Sequence, residues 1–269
     1  MMLQDFYNTQ WDYIIILDAC RFDYFKEHYQ KYLPKGKLEA KQSHGSCTTE
    51  WLHKTFTKPM KDAFYISTNP FINNKKLSLK ELTIDCNKNW RATTVFKKVI
   101  DVWLTHWDNA LGVVHPSQVN KVVKTILPRK RLIIHYIQPH EPYLAYKALG
   151  KKWIARNKVK RRFWHPVALL AWKHLSFSQR VWIKKLLRGR MSVFEHFYAR
   201  GEINKLKMLY EENLIIVLGY VGELIKELKG TIIITADHAE CFGEDKTWGH
   251  PCNSKSQFLR TVPWLVIKK

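Results

Sequence analysis

The chain has 269 residues, of which 46% are hydrophobic and 11 are tryptophan. This length and apolar content suffice to bury a large core, and they exclude an intrinsically disordered chain. The formal net charge is +22, from 45 basic and 23 acidic residues. A balance this basic favours polyanionic partners, such as nucleic acid, an anionic membrane surface, or phosphorylated or sulfated substrates.

Five cysteines are scattered along the chain, at Cys20, Cys47, Cys86, Cys241 and Cys252. Their odd number and the lack of a paired C-x-x-C spacing predict neither a disulfide framework nor a zinc finger, and indicate a reducing compartment. The N-terminal stretch MMLQDFYNTQWDY lacks the basic start and apolar run of a signal peptide. No apolar run reaches the ~20 residues that span a bilayer. We therefore predict a cytoplasmic protein, with a membrane-peripheral form as the alternative.

Continuous apolar runs rich in β-branched residues predict strands that are buried on both faces. These runs are YIIIL at 13–17, RLIIHYI at 131–137, TIIIT at 231–235, VPWLVI at 262–267 and, more weakly, AFYIST at 63–68. Residues 204–228 repeat apolar side chains at three- and four-residue steps, which predicts an amphipathic helix that Gly230 stops. Alternating strands and helices predict a three-layer α/β/α fold with a central, mainly parallel sheet.

Residues 147–190 differ from the rest of the chain, with fourteen Lys or Arg, no Asp or Glu, and interleaved aromatic residues. This composition predicts a basic insertion or lid within a single domain that covers residues 1–269. Lys and Arg interleaved with Trp suit anionic lipid headgroups or a nucleic-acid backbone, so the segment is a candidate polyanion or membrane surface. A solvated lid is the alternative interpretation.

Polar side chains follow three of the predicted strands. Asp18 ends the first, His140 lies just beyond the second, and Asp237 and His238 end the third. Open parallel sheets bind ligands beyond the carboxyl ends of their strands, so these side chains are expected to meet. A carboxylate beside an imidazole suits a divalent metal such as Zn²⁺ or Mn²⁺. Adjacent residues leave an extended strand on opposite faces, so the chain must turn after the third strand.

The segment SHGSCTTEW, residues 43–51, crowds hydroxyl side chains and one thiol around Gly45. Ser and Thr readily cap free backbone N–H groups at a helix start, so a polar turn is one interpretation. A nucleophile among these side chains is the other interpretation. The residues of this segment alone leave both open.

Six segments in chain order resemble the alkaline phosphatase superfamily, namely IIILDACRFDYF, GSCTTEW, HYIQPHEPY, TIIITADHAE, WGHP and VPWLVI. They are most similar to its sulfatase-like branch of sulfatases and phosphoglycerol or phosphoethanolamine transferases. The resemblance covers most of the chain from 13 to 267, but not 147–190 or much of 75–125. It implies a metal-dependent enzyme that hydrolyses or transfers phosphate esters. The implied cofactor is Zn²⁺ or Mn²⁺, with Mg²⁺ or Ca²⁺ as alternatives, and the implied partner is an anionic ester substrate.

The resemblance also implies a role for each matching residue. The metal ligands are matched by Asp18, Thr48, Asp237 and His238. His140 and His250 match histidines that contact the substrate oxyanion or a second metal. The family nucleophile lies at a helix N-terminus, where free N–H groups and the helix dipole stabilise an anion.

Thr48 fits the position of that nucleophile best, followed by Ser46 and then Thr49. A free Thr hydroxyl is a poor nucleophile at neutral pH, and coordination to a divalent ion lowers its pKa. Thr48 would attack phosphorus and form a phospho-enzyme. Water or an acceptor alcohol would then release the phosphoryl group.

Two departures from the family pattern narrow these expectations. Sulfatases carry C-x-P-S-R at the nucleophile, and their Cys is converted to formylglycine, whereas this chain reads CTTEW at 47–51. The missing Pro, Ser and Arg argue against modification of Cys47, and they leave sulfuric ester hydrolysis as the alternative activity. The Asp-x-x-x-His pair that holds a second metal in some phosphodiesterases is absent, so one metal is expected.

Expectations for two further side chains, and a competing hypothesis for the whole chain, follow from the sequence. His135 lies inside an apolar strand and is expected to be a core histidine. Arg21 is expected to be a charge on a helix surface, with a contact to the substrate as the alternative. A weakly active or inactive protein that binds polyanions or membrane surfaces on the same fold is the competing hypothesis for the whole chain.

Overall fold

The computed structural model describes residues 1–83, 86–146, 175–186, 189 and 191–269. Its strands are β1 (Tyr13–Leu17), β2 (Lys37–Gln42), β3 (Met60–Ser67), β4 (Phe96–Asp101), β5 (Leu132–Tyr136), β6 (Thr231–Thr235), β7 (Cys241–Phe242), β8 (Trp248–Gly249) and β9 (Thr261–Lys268). Its helices are α1 (Phe22–Tyr32), α2 (Thr48–Thr55), α3 (Leu79–Leu82), α4 (Ala92–Val95), α5 (Val102–Thr105), α6 (Pro116–Lys124), α7 (Phe177–Leu186), α8 (Val193–Ala199), α9 (Ile203–Ile225) and α10 (Gln257–Arg260).

A 7-stranded sheet forms the centre of the fold, in the order β2-β9-β6-β1-β5-β3-β4. Strand β9 runs antiparallel to β2 and β6, whereas the other neighbouring strands pair in parallel. The predicted α/β fold with a mainly parallel central sheet is therefore confirmed. Because β1 lies between β5 and β6, the carboxyl ends of these three strands open at the same edge of the sheet.

Strand β1 shows why the sheet carries helices on both faces. Ile15 points into a cluster with apolar residues of α1, α6 and α9. Ile14 and Ile16 point to the opposite face, against Trp51 and Leu52 of α2. These five side chains are fully buried. A strand covered on both faces needs apolar residues at successive positions, which explains the uninterrupted run YIIIL.

Helix α9 is the long amphipathic helix that the sequence predicts, although it ends earlier. Its fully buried face includes Leu214, Val217, Leu218, Val221 and Leu224. The helix ends at Ile225, before the predicted residue 228. Gly230 lies beyond its end, in the turn before β6, with a φ of +124°. A Cβ at Gly230 would lie 2.1 Å from Asp12 Oδ2, so this turn requires glycine.

The environment of Arg21 differs from the prediction of a charge on a helix surface. Only 7% of the residue is exposed. Its guanidinium lies 2.7 Å from carboxylate oxygens of both Asp23 and Glu244. It also lies 5.5 Å from the ring centroid of Phe242. The charge of Arg21 can be buried because two carboxylates pair with it, and these contacts link the start of α1 to the hairpin formed by β7 and β8.

Most of the basic segment predicted at 147–190 lies outside the described residues, so its interpretation as an insertion or lid stays a prediction. Its described helix α7 packs on the β7–β8 hairpin, where the rings of Phe177 and Trp248 stack with centroids 4.9 Å apart. A small apolar cluster joins α8, α9 and the same hairpin. Among the described residues, no helix combines the length and apolar character needed to cross a bilayer.

Candidate active site

The carboxyl ends of β1, β5 and β6 bring together polar side chains that are buried in the fold. Asp18 follows β1 directly, and Asp237 and His238 follow β6. His238 Nε2 lies 3.3 Å from Asp237 Oδ2 and 3.7 Å from Asp18 Oδ1. His135, from within β5, places its Nε2 3.3 Å from Asp18 Oδ2. The chain therefore turns after β6 as predicted, and both residues of the Asp-His pair reach one place.

Thr48 reaches this cluster from the start of α2. Its Oγ1 donates a hydrogen bond of 2.7 Å to Asp237 Oδ2 and lies 3.2 Å from His238 Nε2. The loop before the helix passes close to the helix backbone, since a Cβ at Gly45 would lie 2.3 Å from the amide nitrogen of Trp51. Glycine thus allows the loop to deliver Thr48 to the ends of the strands.

The three hydroxyls considered as nucleophiles have different partners. Ser46 Oγ lies 2.8 Å from Glu50 Oε2 and holds the loop against the helix. Thr49 Oγ1 lies 3.4 Å from Cys47 Sγ. Of these three hydroxyls, Thr48 is the one that contacts the carboxylate and imidazole of the cluster.

The hydrogen-bonding atoms of the cluster indicate a cation. His238 Nδ1 lies 2.9 Å from the carbonyl oxygen of Ala239, so Nδ1 carries the proton and Nε2 presents a lone pair to Asp18 and Asp237. Two further buried atoms, Asp18 Oδ1 and His135 Nε2, have no hydrogen-bond partner in the described structure. Ligand atoms of Asp18, His135 and Asp237 lie within 4.8 Å of one another. A set of carboxylate oxygens and imidazole nitrogens fits Zn²⁺ or Mn²⁺.

The surroundings favour the protonation states that coordinate a metal. Burial by itself would raise the pKa of the Asp18 carboxyl, but the adjacent imidazoles of His135, His140 and His238 hold that pKa below its ordinary value. Burial lowers the pKa of the His238 imidazole. An ionised carboxylate and a neutral imidazole are the forms that bind a divalent cation.

A second group of side chains lies beside the first. His140, Glu240 and His250 bring ligand atoms within 4.8 Å of one another. His250 Nδ1 lies 2.8 Å from Glu240 Oε1, and its Nε2 lies 3.4 Å from His140 Nε2. The ring centroids of His238 and His250 are 4.6 Å apart, which joins the two groups. The two histidines predicted to bind substrate therefore lie next to the predicted metal ligands.

His250 provides positive charge at the edge of the site. Burial by itself would lower the pKa of its imidazole, but the Glu240 carboxylate raises this pKa to about 9. His250 is therefore an imidazolium at neutral pH, and 27% of its side chain remains exposed. A half-buried imidazolium can form a charge-assisted hydrogen bond to an anionic oxygen.

Three residues at the site carry no functional assignment from the sequence, namely His135, Asn69 and Glu240. The core position predicted for His135 is confirmed, with Nδ1 2.8 Å from Tyr65 Oη, but its other nitrogen faces Asp18. Asn69 donates a 3.0 Å hydrogen bond from Nδ2 to Asp18 Oδ2. His135 lies near the carboxyl end of β5 and Asn69 lies just beyond β3. These positions at the edge of the sheet are the signal that could have identified the two residues. Glu240 is the last residue of the segment TADHAE, and the sequence alone gives it no role.

The pairing of the cysteines contradicts the predicted absence of disulfides. Cys47 and Cys252 form a disulfide, and Cys20, Cys86 and Cys241 are free. The two bonded residues are 205 positions apart, and the fold brings their Cα atoms to 5.0 Å. Short-range spacing cannot predict such a pair, because the contact exists only in the folded chain. The cytoplasmic location stays a prediction.

Several solved structures share this fold at low sequence identity. The C-terminal periplasmic domain of EcEptC from Escherichia coli has a TM-score of 0.50 and 13% identity, covering 99% of this chain and 75% of that chain. The soluble domain of lipooligosaccharide phosphoethanolamine transferase A from Neisseria meningitidis has a TM-score of 0.50 and 12% identity, covering 98% and 79%. Phosphonate monoester hydrolase SpPMH from Silicibacter pomeroyi has a TM-score of 0.50 and 14% identity, covering 96% and 68%.

No protein-family model and no curated protein sequence matches this chain. At the identities of the solved structures, the likeness establishes the fold alone. The predicted resemblance to phosphoethanolamine transferases of the alkaline phosphatase superfamily is therefore confirmed at the level of the fold. The roles of individual residues stay predictions.

Proposed function

We propose that the chain is a metal-dependent enzyme that hydrolyses or transfers phosphate esters through a phosphoryl group carried by Thr48. The observation that carries the proposal is the position of Thr48 Oγ1, at the start of a helix, 2.7 Å from Asp237 and 3.2 Å from His238. The shared fold with phosphoethanolamine transferases and a phosphonate monoester hydrolase supports chemistry on an anionic ester.

The proposed metal ligands are Asp18, Thr48, Asp237 and His238, and the lone pair of His238 and the unpartnered Asp18 Oδ1 support this assignment. Zn²⁺ or Mn²⁺ fits the mixed oxygen and nitrogen ligands better than Mg²⁺ or Ca²⁺, which prefer oxygen. A complex with Zn is among the solved structures of the EcEptC domain. A bound cation lowers the pKa of a coordinated hydroxyl and neutralises charge on a phosphoryl group.

The remaining steps are assigned to side chains of the chain itself. Asp237 Oδ2 accepts the hydrogen bond of the Thr48 hydroxyl and orients Oγ1 toward phosphorus. Free N–H groups at the start of α2 face the phosphoryl oxygens. As the O–P bond forms at Thr48, the hydroxyl proton passes to Asp237 Oδ2, and the P–O bond to the leaving oxygen breaks, with that oxygen taking a proton from water. Water or an acceptor alcohol then attacks phosphorus and gives up its proton to solvent, while Thr48 Oγ1 leaves and takes its proton back from Asp237. His140 and His250 bind the phosphoryl oxygens in both steps.

Sulfuric ester hydrolysis is the alternative activity, and the state of Cys47 argues against it. The sulfatases that the chain resembles oxidise a cysteine at this position to formylglycine. Cys47 Sγ is bonded to Cys252 Sγ, so its thiol is not available for that conversion. Buried lone pairs of carboxylates and an imidazole that face one another are costly unless they bind a ligand. An inactive binding protein would not need this arrangement.

Thr48→Ala and Thr49→Ala form a matched pair that tests the nucleophile. With Zn²⁺ or Mn²⁺ supplied, we expect Thr48→Ala to lower hydrolysis of mono- and bis-p-nitrophenyl phosphate by ~10³-fold or more, as nucleophile removal does in other enzymes. Thr49→Ala should retain most of the activity, because its hydroxyl faces the disulfide. Equal losses in the two variants, or unchanged turnover in Thr48→Ala, would contradict the assignment. Faster turnover of p-nitrophenyl sulfate would favour the alternative activity.

We also propose that helix α7, in the basic segment, binds an anionic bilayer surface. Trp182 and Leu186 lie one helical turn apart and are 64% and 67% exposed, and Lys185 beside them is also exposed. Residues 147–190 supply fourteen basic side chains and no acidic one. An aliphatic side chain beside an indole suits the boundary of lipid headgroups and acyl chains, whereas single-stranded nucleic acid uses aromatic stacking.

Vesicle flotation tests this surface. We expect the wild type to float with vesicles that contain phosphatidylglycerol but not with pure phosphatidylcholine vesicles, and Trp182→Ala/Leu186→Ala to lose that binding. Leu104→Ala is the matched control, because Leu104 is 50% exposed on a different helix. Unchanged flotation of the double variant would contradict the proposal. So would release of the protein from the vesicles by a single-stranded oligonucleotide that carries the same total charge as the lipid.

A further inference from the structure

The disulfide joins the two loops that carry the proposed nucleophile and the proposed substrate histidine. Cys47 is the N-cap of α2 and directly precedes Thr48. Cys252 lies two residues after His250, in the loop that connects β8 to α10. The bond is thus one residue from the nucleophile on one side and two residues from the histidine on the other.

Hydrogen bonds between part-buried groups also connect the two loops. Ser46 Oγ lies 2.9 Å from the carbonyl oxygen of Pro251 and 3.0 Å from the amide nitrogen of Ser254. Asn253 donates a 3.0 Å hydrogen bond to Glu50 Oε2. Pro251 and Asn253 are exposed, so water competes for these contacts. The disulfide is the covalent tie that does not depend on them.

We infer that the Cys47–Cys252 disulfide positions His250 relative to Thr48, and that turnover is therefore sensitive to thiol reductants. The inference rests on the proposed function of these two residues. Catalytic groups must be held within ~0.5 Å of their productive geometry. A displacement of ~1 Å can cost ~10²-fold in rate. Breaking the bond releases the loop after His250 while leaving the central sheet intact.

Cys252 is the sulfur that a reductant reaches first, because it is half-buried whereas Cys47 is only 4% exposed. A thiolate of a dithiol reductant attacks Cys252 Sγ, and Cys47 leaves as a thiolate beside the free N–H groups of α2. The second thiol of the reductant then attacks the mixed disulfide. Two electrons and two protons pass to the protein, which gains two thiols, and the reductant becomes a cyclic disulfide.

The experiment compares the wild type, with and without a dithiol, with Cys252→Ser and with the control Cys86→Ala. Cys86 is a buried free cysteine outside both loops. At a temperature where circular dichroism shows the native fold, we expect kcat/KM to fall ~10²-fold on reduction and in Cys252→Ser, and to recover when the wild type is reoxidised. Cys86→Ala should keep the activity and the sensitivity of the wild type. Thiol titration after unfolding confirms the redox state, with 3 free thiols before reduction and 5 after it.

Hydrogen exchange supplies a readout that does not depend on turnover. We expect reduction to raise exchange at residues 46–49 and 250–256 while β1 and β6 stay protected. Full activity after complete reduction would overturn the inference, as would unchanged exchange in both loops. If the oxidised wild type turns over no phosphate ester, the proposed function fails, and the exchange measurement still decides whether the bond positions the loops.

Discussion

At the scale of single residues, the candidate site consists of polar side chains that are buried without a full set of partners. Asp18 Oδ1 and His135 Nε2 lack hydrogen-bond partners, and His238 turns a lone pair toward carboxylates. An unsatisfied buried polar atom costs ~1–3 kcal/mol, so a fold that retains several at one place needs a compensating ligand. We therefore expect a divalent cation to bind the Asp18 carboxylate and the His238 imidazole at this place.

Glu240→Gln tests the charge that holds His250. Glu240 is fully buried, and its Oε1 lies 2.8 Å from His250 Nδ1. The amide keeps the size of the side chain but removes the negative charge, so the pKa of His250 should fall from about 9 toward its ordinary range. An imidazole loses its charge as pH rises through its pKa, so the variant should lose substrate binding at a lower pH than the wild type. We expect KM to rise about tenfold near pH 8, with a smaller change in kcat.

Glu227→Gln is the control for this change, because Glu227 pairs with Lys124 on the surface. An unchanged KM and pH profile in Glu240→Gln would show that the Glu240 charge does not act on substrate binding through His250.

Glu50→Gln tests the carboxylate that organises the nucleophile loop. Burial by itself would raise the pKa of Glu50, but hydrogen bonds from Lys54, Ser46 and Asn253 lower it to about 2. A carboxyl with a depressed pKa stabilises the fold above its unfolded pKa of ~4.3, and this contribution is lost as pH falls toward 2. In urea unfolding we expect Glu50→Gln to be less stable than the wild type at about pH 6, with the difference shrinking below about pH 5. A difference that does not vary with pH would contradict this assignment.

At the scale of secondary-structure elements, helix α9 positions two of the loops that reach the site. Tyr210 Oη donates a hydrogen bond to the carbonyl of Ala19 and accepts one from the amide of Arg21, each 2.8 Å long. Ala19 has a φ of +59°, which is costly for a residue with a Cβ. Asn213 donates to the carbonyl of His140 at 3.1 Å. One helix thus holds the turn after Asp18 and the loop of His140.

Tyr210→Phe tests this role of α9. The variant leaves the carbonyl of Ala19 and the amide of Arg21 without their partner, so we expect a loss of ~1–3 kcal/mol in the free energy of unfolding. Metal affinity should also fall, because Asp18 precedes the released turn. Tyr220→Phe, on the same helix, should change stability by less than ~0.5 kcal/mol. Urea unfolding and calorimetric metal titration provide the measurements, and similar results for the two variants would count against the role of Tyr210.

The sequence predicts well those strands whose own residues determine how they are buried. Strands β1, β5 and β6 form within a residue of their predicted bounds, because strands buried on both faces require continuous apolar runs. Asp18, Asp237 and His238 meet as predicted, because parallel strands end at one edge. The role of Glu50 and the disulfide could not be predicted from spacing. Both depend on contacts between residue 47 or 50 and the loop at 251–254, which exist only after folding.

At the scale of the whole molecule, the disulfide stabilises the folded chain, whereas the net charge destabilises it. A net charge of +22 favours the expanded chain through self-repulsion. The disulfide closes a loop over 205 positions, and loss of a native disulfide typically costs ~2–5 kcal/mol. Cytosolic thiols are kept reduced, so a cytoplasmic location and a permanently closed bond are competing predictions. The redox state of Cys47 and Cys252 in cells distinguishes them.

Phosphopeptide mapping during turnover tests most directly whether Thr48 carries the phosphoryl group. The wild type, supplied with Zn²⁺ or Mn²⁺ and a p-nitrophenyl phosphate ester, is quenched in acid, digested and analysed by mass spectrometry. We predict a phosphoryl group on Thr48 that appears only with the metal and is absent from Thr48→Ala. A phosphoryl group on Ser46 or Thr49, or turnover without a phosphopeptide at any time point, would contradict the proposed mechanism.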